Sequence, residues 1–288
     1  MSNTTSISEL MDKLIAQARA AHPAQAPLIG VGGAQGSGKT TLCRAYAAAH
    51  AKVAHFSLDD VYLTRAEREQ RALIHAQLVI DHGEQPHSRL SRDERADGMA
   101  RTRPLLLTRG PPGTHDLTLA KGLIARLQTD RTTPLPRFDK RTDDRAPDFE
   151  WPVFEGPAGA ILVDGWCMGA LPPSDTPPLN EIEDDDVLGQ WRALIRAELD
   201  GHYAVFFDTF DHIIYLQAPS FDVVRRWRGQ QEEELLGRPM TVEEQAKLDR
   251  FIQHYERVTR SMLAGNLRAD WIVRLDEDRN VIGIEERK

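Results

Sequence analysis

The most chemically specific stretch of the chain is Gly33-Ala34-Gln35-Gly36-Ser37-Gly38-Lys39-Thr40, which fits the phosphate-loop pattern Gly-x-x-x-x-Gly-Lys-Ser/Thr at every required position. Glycines let the backbone wrap a phosphate with successive N–H groups pointing inward, and a helix starting behind them adds its positive end. Lys39 can reach the β- and γ-phosphates, and the Thr40 hydroxyl can ligate magnesium. The expected ATP-binding set is therefore Gly33, Ala34, Gln35, Gly36, Ser37, Gly38, Lys39, Thr40 and Thr41, with Lys39 also acting on the phosphate that moves. Such a loop specifies a nucleoside triphosphate and leaves the phosphate acceptor open. A signalling GTPase needs a guanine-reading Asn-Lys-x-Asp, and none of Asn3, Asn180, Asn266 or Asn280 is followed by lysine. A net charge of −8 gives poor support to a nucleic-acid motor. What remains is a kinase of a small acceptor or another kind of ATPase.

Two groups of carboxylates bear on that choice. Ser57-Leu58-Asp59-Asp60-Val61-Tyr62 follows a strand candidate, so these side chains belong at the carboxyl edge of a sheet, where open α/β sheets bind ligands. Either Asp59 or Asp60 can accept the proton of an attacking hydroxyl; either can also cap a helix. Ile161-Leu162-Val163-Asp164-Gly165 is a short apolar run ending in an acid, the form of a Walker B element. Asp164 can hold magnesium directly or through water, which places Thr40 and Asp164 at the metal and makes ATP and Mg2+ the expected cofactors.

Holding these groups together takes parallel strands joined by helices. Leu28–Val31, Val53–Ser57, Ala160–Val163, His212–Leu216 and Trp271–Leu275 read as five strands. Between and around them lie helical patterns at 6–21, Leu117–Leu127, Gly189–Tyr203, Phe221–Leu236 and Thr241–Ala264, the last opened by Thr241 and Glu244 at capping-box spacing. Alternating strands and helices predict an α/β sheet covered on both faces. The segment 65–103, crowded with arginine and carboxylate, and the stretch Leu171–Asp186 with its acidic run Glu183-Asp184-Asp185-Asp186 read as solvated surface. His82, Glu84 and His87 can be written as a metal site, but a polar loop is the stronger reading.

The 288 residues, 41% hydrophobic and 28% charged, have an ordinary globular composition, which excludes wholesale disorder and collagen-like chains. Cys43 and Cys167 cannot build a disulfide framework and read as reduced, inert thiols. No apolar run approaches the roughly 18 residues of a membrane span. The first 26 residues lack an apolar signal region and carry Glu9 and Asp12. A soluble, cytoplasmic protein is expected, folded as a single domain over 1–288, with no nucleic-acid or membrane partner and no protein partner indicated.

Several longer blocks resemble the D-glycerate 3-kinase family. They are Gly30 to Thr41, Ser57 to Thr64, Arg109-Gly110-Pro111-Pro112-Gly113-Thr114-His115-Asp116, Leu135-Pro136-Arg137-Phe138-Asp139-Lys140, Val163-Asp164-Gly165-Trp166, and Gln217 to Val224 with Trp227-Arg228. The likeness covers most of residues 28–285 and extends to the wider group of uridine kinase, pantothenate kinase and phosphoribulokinase. It implies a P-loop NTPase fold, a three-layer α/β/α sandwich with a five-stranded, mostly parallel sheet, a helical charged insertion at 65–103, and lid and C-terminal helices over 221–264. It also implies Asp59 as catalytic base and Arg228 as the lid arginine acting on the transferring phosphoryl group. Asp59, Tyr62, His115, Asp116, Arg137, Asp139 and Lys140 then line the acceptor site. D-glycerate, with one carboxylate and two hydroxyls, calls for such cations and hydrogen-bonding groups. Two departures stand out: the Walker B acid is Asp164 where the family usually has Glu, and residues 72–102 are longer than the family pattern leads one to expect. The rival expectations are the same chemistry on another small hydroxylated metabolite, or an ATP-binding regulatory protein with weak turnover.

Overall fold

Six strands form one sheet: β1 (Leu28–Gly33), β2 (Val53–Ser57), β3 (Ala160–Gly165), β4 (His212–Gln217), β5 (Trp271–Leu275) and β6 (Val281–Glu286). They are described by a computed structural model that covers residues 6–82 and 90–287. The spatial order is β6-β5-β4-β1-β3-β2. The first five strands run parallel, and β6 returns antiparallel on β5 at the edge. The parallel five match the sequence expectation. The sixth was not expected, because a half-exposed edge strand joined by a tight turn lacks both the long apolar run and the crossover helix that announce a parallel strand.

β1 and β3 are buried at every residue, as strands covered on both faces must be. Side chains alternate across the sheet. Ile29, Val31, Leu162, Ile214, Leu216 and Val273 face one core, closed by α1 (Ile7–Ala21) and α2 (Lys39–Ala49). Phe56, Ile161, Val163, Ile213, Tyr215 and Ile272 face the other. That second core is closed by α3 (Arg65–His82), α4 (Arg92–Leu107) and α5 (Leu117–Thr129). The helical residues 190–207 bring Trp191, Ile195, Tyr203 and Phe206 to the second core, α6 (Phe221–Leu236) and α7 (Val242–Leu263) add further cover, and α7 supplies Ile252 to the first core and Tyr255 to the second. α7 starts with the anticipated capping box between Thr241 and Glu244. Among the described residues no helix is long and apolar enough to cross a membrane.

The solvated-surface reading of the two charged segments holds for most of their described charged side chains and fails for Arg68, Glu183 and Asp186. The described residues of the 65–103 segment lie mainly in two helices, α3 and the start of α4, packed on one another. Within it Arg68 is only 2% exposed, held by Asp143 at 2.8 Å, and Ala72, Met99 and Thr102 are buried. In the acidic run Glu183 and Asp186 are buried while Asp184 is exposed. Glu183 accepts from Arg257 Nε at 2.7 Å and from the Leu179 N–H at 2.7 Å. Asp186 accepts the N–H groups of Trp191 and Arg192, each at 3.0 Å. Charge pattern alone cannot reveal a counter-ion on a distant helix. Both cysteines are free and buried, and burial pushes both thiols up, as expected of inert sulfur. Glu84, His87 and the side chain of His82 lie outside the described residues.

Candidate active site

The phosphate loop leaves β1 at Gly33 and enters α2 at Lys39. Gly36 has φ 75°, and a Cβ there would stand 2.7 Å from Trp227 Cβ, so both the backbone and the space demand glycine. Gly38, the N-cap of α2 at φ 85°, offers no side-chain cap, and nothing lies within 4 Å of where its Cβ would be. The loop is thus an open cradle before uncapped helix N–H groups. Ser37 Oγ is buried without a partner among the described residues, a hydroxyl donor left free for an anion in the loop. These features fit a triphosphate. Lys39 Nζ lies over the loop, 3.4 Å from the Ala34 carbonyl.

A cleft of about 390 Å³ extends from Gly36, Gly38 and Thr41 to Leu216, Leu275 and Arg279. Arg279 Nε donates to the Gly36 carbonyl at 2.7 Å, and its guanidinium lies 4.9 Å above the Trp227 ring. Sequence reasoning missed Arg279, which sits in the short turn before the unexpected strand and carries no motif.

At the end of β3, Asp164 is fully buried. Parallel pairing sets Ser57 level with it. Thr40 Oγ1 donates to Asp164 Oδ2 at 2.8 Å and Ser57 Oγ to the same oxygen at 3.2 Å. His55 Nε2 reaches Oδ1 at 2.7 Å. A hydroxyl and a carboxylate are hard oxygen donors of the kind magnesium takes, so Thr40 and Asp164 fit Mg2+. His55 was not foreseen; the only available signal was its place two residues before Ser57 on the same strand face.

Beyond β2, Leu58–Asp60 forms one turn of 3-10 helix capped by Ser57. The two acids diverge there. Asp60 accepts the Ser57 N–H at 3.1 Å. Burial, with Asp59 and Asp164 adding to it, pushes the Asp60 carboxyl up to about 6, and the Ser57 N–H only partly opposes this. Asp59 Oδ1 accepts from the Tyr62 hydroxyl at 2.8 Å and Oδ2 from Lys140 Nζ at 2.8 Å. Burial by itself pushes Asp59 up. Lys140, Lys39 and the Tyr62 hydroxyl outweigh it and hold the carboxyl well below its usual range.

His115 is buried beneath this pair, its ring stacked on Tyr62 at 4.7 Å. The Tyr203 hydroxyl accepts the Gly113 N–H at 3.0 Å and lies 2.5 Å from His115 Nδ1. His115 Nε2 is buried without a partner among the described residues. Burial lowers this imidazole to about 4, with Asp59 opposing, so the ring is neutral at pH 7. Asp116 caps α5 through the Leu119 N–H at 2.8 Å and meets Arg145 at 3.3 Å with its other oxygen.

Phe138–Asp139 and Asp144–Arg145 pair as a small hairpin with Lys140 in its turn. Asp143 ties the hairpin to Arg68 and Arg109, and Arg145 donates to the Tyr62 carbonyl at 2.9 Å. Asp139 accepts the Arg141 N–H at 2.9 Å within that turn. The Arg137 guanidinium has no polar partner among the described residues. Arg228 lies beside the phosphate loop, its N–H 3.3 Å from where a Gly36 Cβ would be. Its guanidinium is held along its own helix by Glu232 at 2.9 Å and Gln231 at 3.2 Å. Asp59, Tyr62, His115 and Lys140 thus come together, as do Thr40 and Asp164. Asp116 and Asp139 are engaged in the scaffold, and Arg228 in a helical ion pair.

No protein-family model matches the chain. A Schizosaccharomyces pombe protein described as the uncharacterized kinase mug58 is 27% identical over 243 residues, 79% of this chain and 78% of that protein. The chloroplastic D-glycerate 3-kinase of Arabidopsis thaliana is 28% identical over 226 residues, 71% of this chain and 41% of that enzyme. Among solved structures, D-glycerate 3-kinase from Cryptococcus neoformans aligns over 98% of this chain and 99% of its own, with TM-score 0.66 and 23% identity. The YGR205w protein aligns over 98% and 96%, with TM-score 0.64 and 22% identity. The fold is that of the P-loop kinases, and the likeness to D-glycerate 3-kinases read from the motifs is supported.

Proposed function

We propose that the chain transfers the γ-phosphate of ATP to the primary hydroxyl of D-glycerate, giving 3-phosphoglycerate and ADP. The observation that carries this reading is the surround of Asp59: an ionised carboxylate flanked by the Lys140 ammonium, with the unpartnered Nε2 of a neutral His115 nearby. A hydroxy acid needs a proton acceptor for its alcohol, a cation for its carboxylate and a neutral hydrogen-bonding group for its remaining oxygen. Bound Mg·ATP supplies the phosphoryl group and neutralises charge on it.

The chain's own residues do the rest. The loop N–H groups and Lys39 hold the phosphates, with Thr40 and Asp164 at the metal. Asp59 orients the acceptor hydroxyl and takes its proton as the new O–P bond forms and the bond to ADP breaks. Lys140 and the unpaired Arg137 draw in the acceptor carboxylate. Arg228 exchanges Glu232 for the transferring group when the site closes. ADP release measured against D-glycerate, L-glycerate, uridine, pantothenate and ribulose 5-phosphate tests the assignment. D-glycerate should dominate. A larger rate with another acceptor moves the chemistry to that metabolite, and acceptor-independent weak turnover points to an ATP-binding regulatory protein.

A further inference from the structure

His55 belongs to none of the sequence motifs, yet it is built into the metal end of the site. It lies two residues before Ser57 on β2, so both side chains leave the strand on one face. The parallel register against β3 then brings the ring onto Asp164, His55 being 8% exposed and Asp164 not at all. A carboxylate without exposure keeps its charge only if donors meet its lone pairs. Thr40 and Ser57 both serve Oδ2. Among the described residues His55 is the sole side-chain donor to Oδ1. The nearby Cys43 thiol, kept protonated by burial, is too weak a donor to replace it.

We infer that His55 is a positioning residue for magnesium: by holding Asp164 Oδ1 it keeps Oδ2 turned to the Thr40 hydroxyl. The single Thr40 proton is thereby spent on Asp164, and the hydroxyl lone pairs are left for the ion. His55 itself meets neither phosphate nor metal. The inference rests on reading Thr40 and Asp164 as the metal end of the site. It also gives a physical setting for aspartate at this position, since the imidazole locks the shorter acid from behind. Partners that orient a metal's ligands typically change metal affinity by about 10–100-fold when removed.

The test is calorimetric and needs no turnover. ADP binding is measured in EDTA and in saturating Mg2+, and the ratio of the two affinities is the magnesium linkage. His55→Phe keeps a flat ring and removes the donor. Its linkage should fall by about 10-fold or more, with metal-free ADP affinity within about threefold of wild type. His55→Gln, whose amide can donate at similar reach, should recover most of the loss, and Mn2+ titration followed by electron paramagnetic resonance should show the same order. A folded His55→Phe with wild-type linkage overturns the inference, as does a folded His55→Gln with no recovery. If His55→Phe does not fold, His55→Asn replaces it: its shorter amide should leave linkage low where His55→Gln restores it, and equal linkage in the two overturns the inference. A wild-type protein without magnesium linkage refutes the metal end itself, which is a different result from intact wild-type linkage that ignores His55.

Discussion

Replacing Lys140 with methionine removes a charge 2.8 Å from Asp59 Oδ2 and keeps most of the side chain's bulk. Two unit charges about 4 Å apart interact by about 4 kcal/mol at an effective protein dielectric and about 1 kcal/mol in water. Lys140 is 58% exposed and Asp59 35%, so the pair belongs near the aqueous limit, where exposed pairs contribute about 1 kcal/mol or less. About 1 kcal/mol corresponds to a little under one pH unit in the midpoint of Asp59. The sign follows from what remains: with Lys140 gone, burial is less opposed and the carboxyl rises toward its ordinary value of 3.8. Asp59 must be ionised to take a proton, so activity on the variant is lost at higher pH as acid is added. The acid limb of kcat/KM for D-glycerate, which reports the free enzyme, should move up by about half to one pH unit. Above about pH 6 the variant should show a raised KM for glycerate with the KM for ATP little changed. An acid limb that stays in place or moves down refutes the coupling between Lys140 and Asp59, and equal loss for both substrates puts Lys140 outside the acceptor site.

Lys39→Ala should abolish phosphoryl transfer with little change in thermal melting, since the side chain serves phosphates and not the core; turnover within tenfold of wild type contradicts the role of the loop. Asp59→Asn should lower kcat by roughly 10²–10⁴, the usual worth of a positioned general base. Asp60→Asn should spare kcat and hold or raise the melting temperature near pH 7.5. Asp60 is raised to about 6 in the folded protein, so its contribution to stability falls as pH rises from its unfolded value through 6, and the amide removes that dependence. A variant less stable than wild type at that pH contradicts the repulsion from Asp59 and Asp164. Arg257→Met strands Glu183 buried without its counter-ion and should cost about 3 kcal/mol, lowering Tm by roughly 5–10 °C in calorimetry.

Much of this molecule is local in sequence, and that part was legible. The phosphate loop needs glycines, a lysine and a hydroxyl at fixed spacing, and the central strands β1 and β3 open as short apolar runs because both faces are covered. Groups whose meaning lies in a distant partner were not legible. Glu183 and Arg68 look like surface charge until Arg257 and Asp143 are found beside them. His55 is an ordinary strand residue until the register sets it against Asp164. Asp59 and Asp60 are adjacent and alike, and only the one-turn helix after β2 sends one to Lys140 and the other back to Ser57. Asp116 belongs to a specific sequence block, yet its carboxylate caps a helix, a use that the same residue type serves equally well.

The most direct measurement is phosphorus NMR of the product formed from ATP and D-glycerate by the wild-type protein. A primary hydroxyl presented to Asp59, with the carboxylate held by Lys140, predicts a resonance of 3-phosphoglycerate appearing in step with ADP. Accumulation of 2-phosphoglycerate, or of inorganic phosphate alone, contradicts that arrangement of the acceptor.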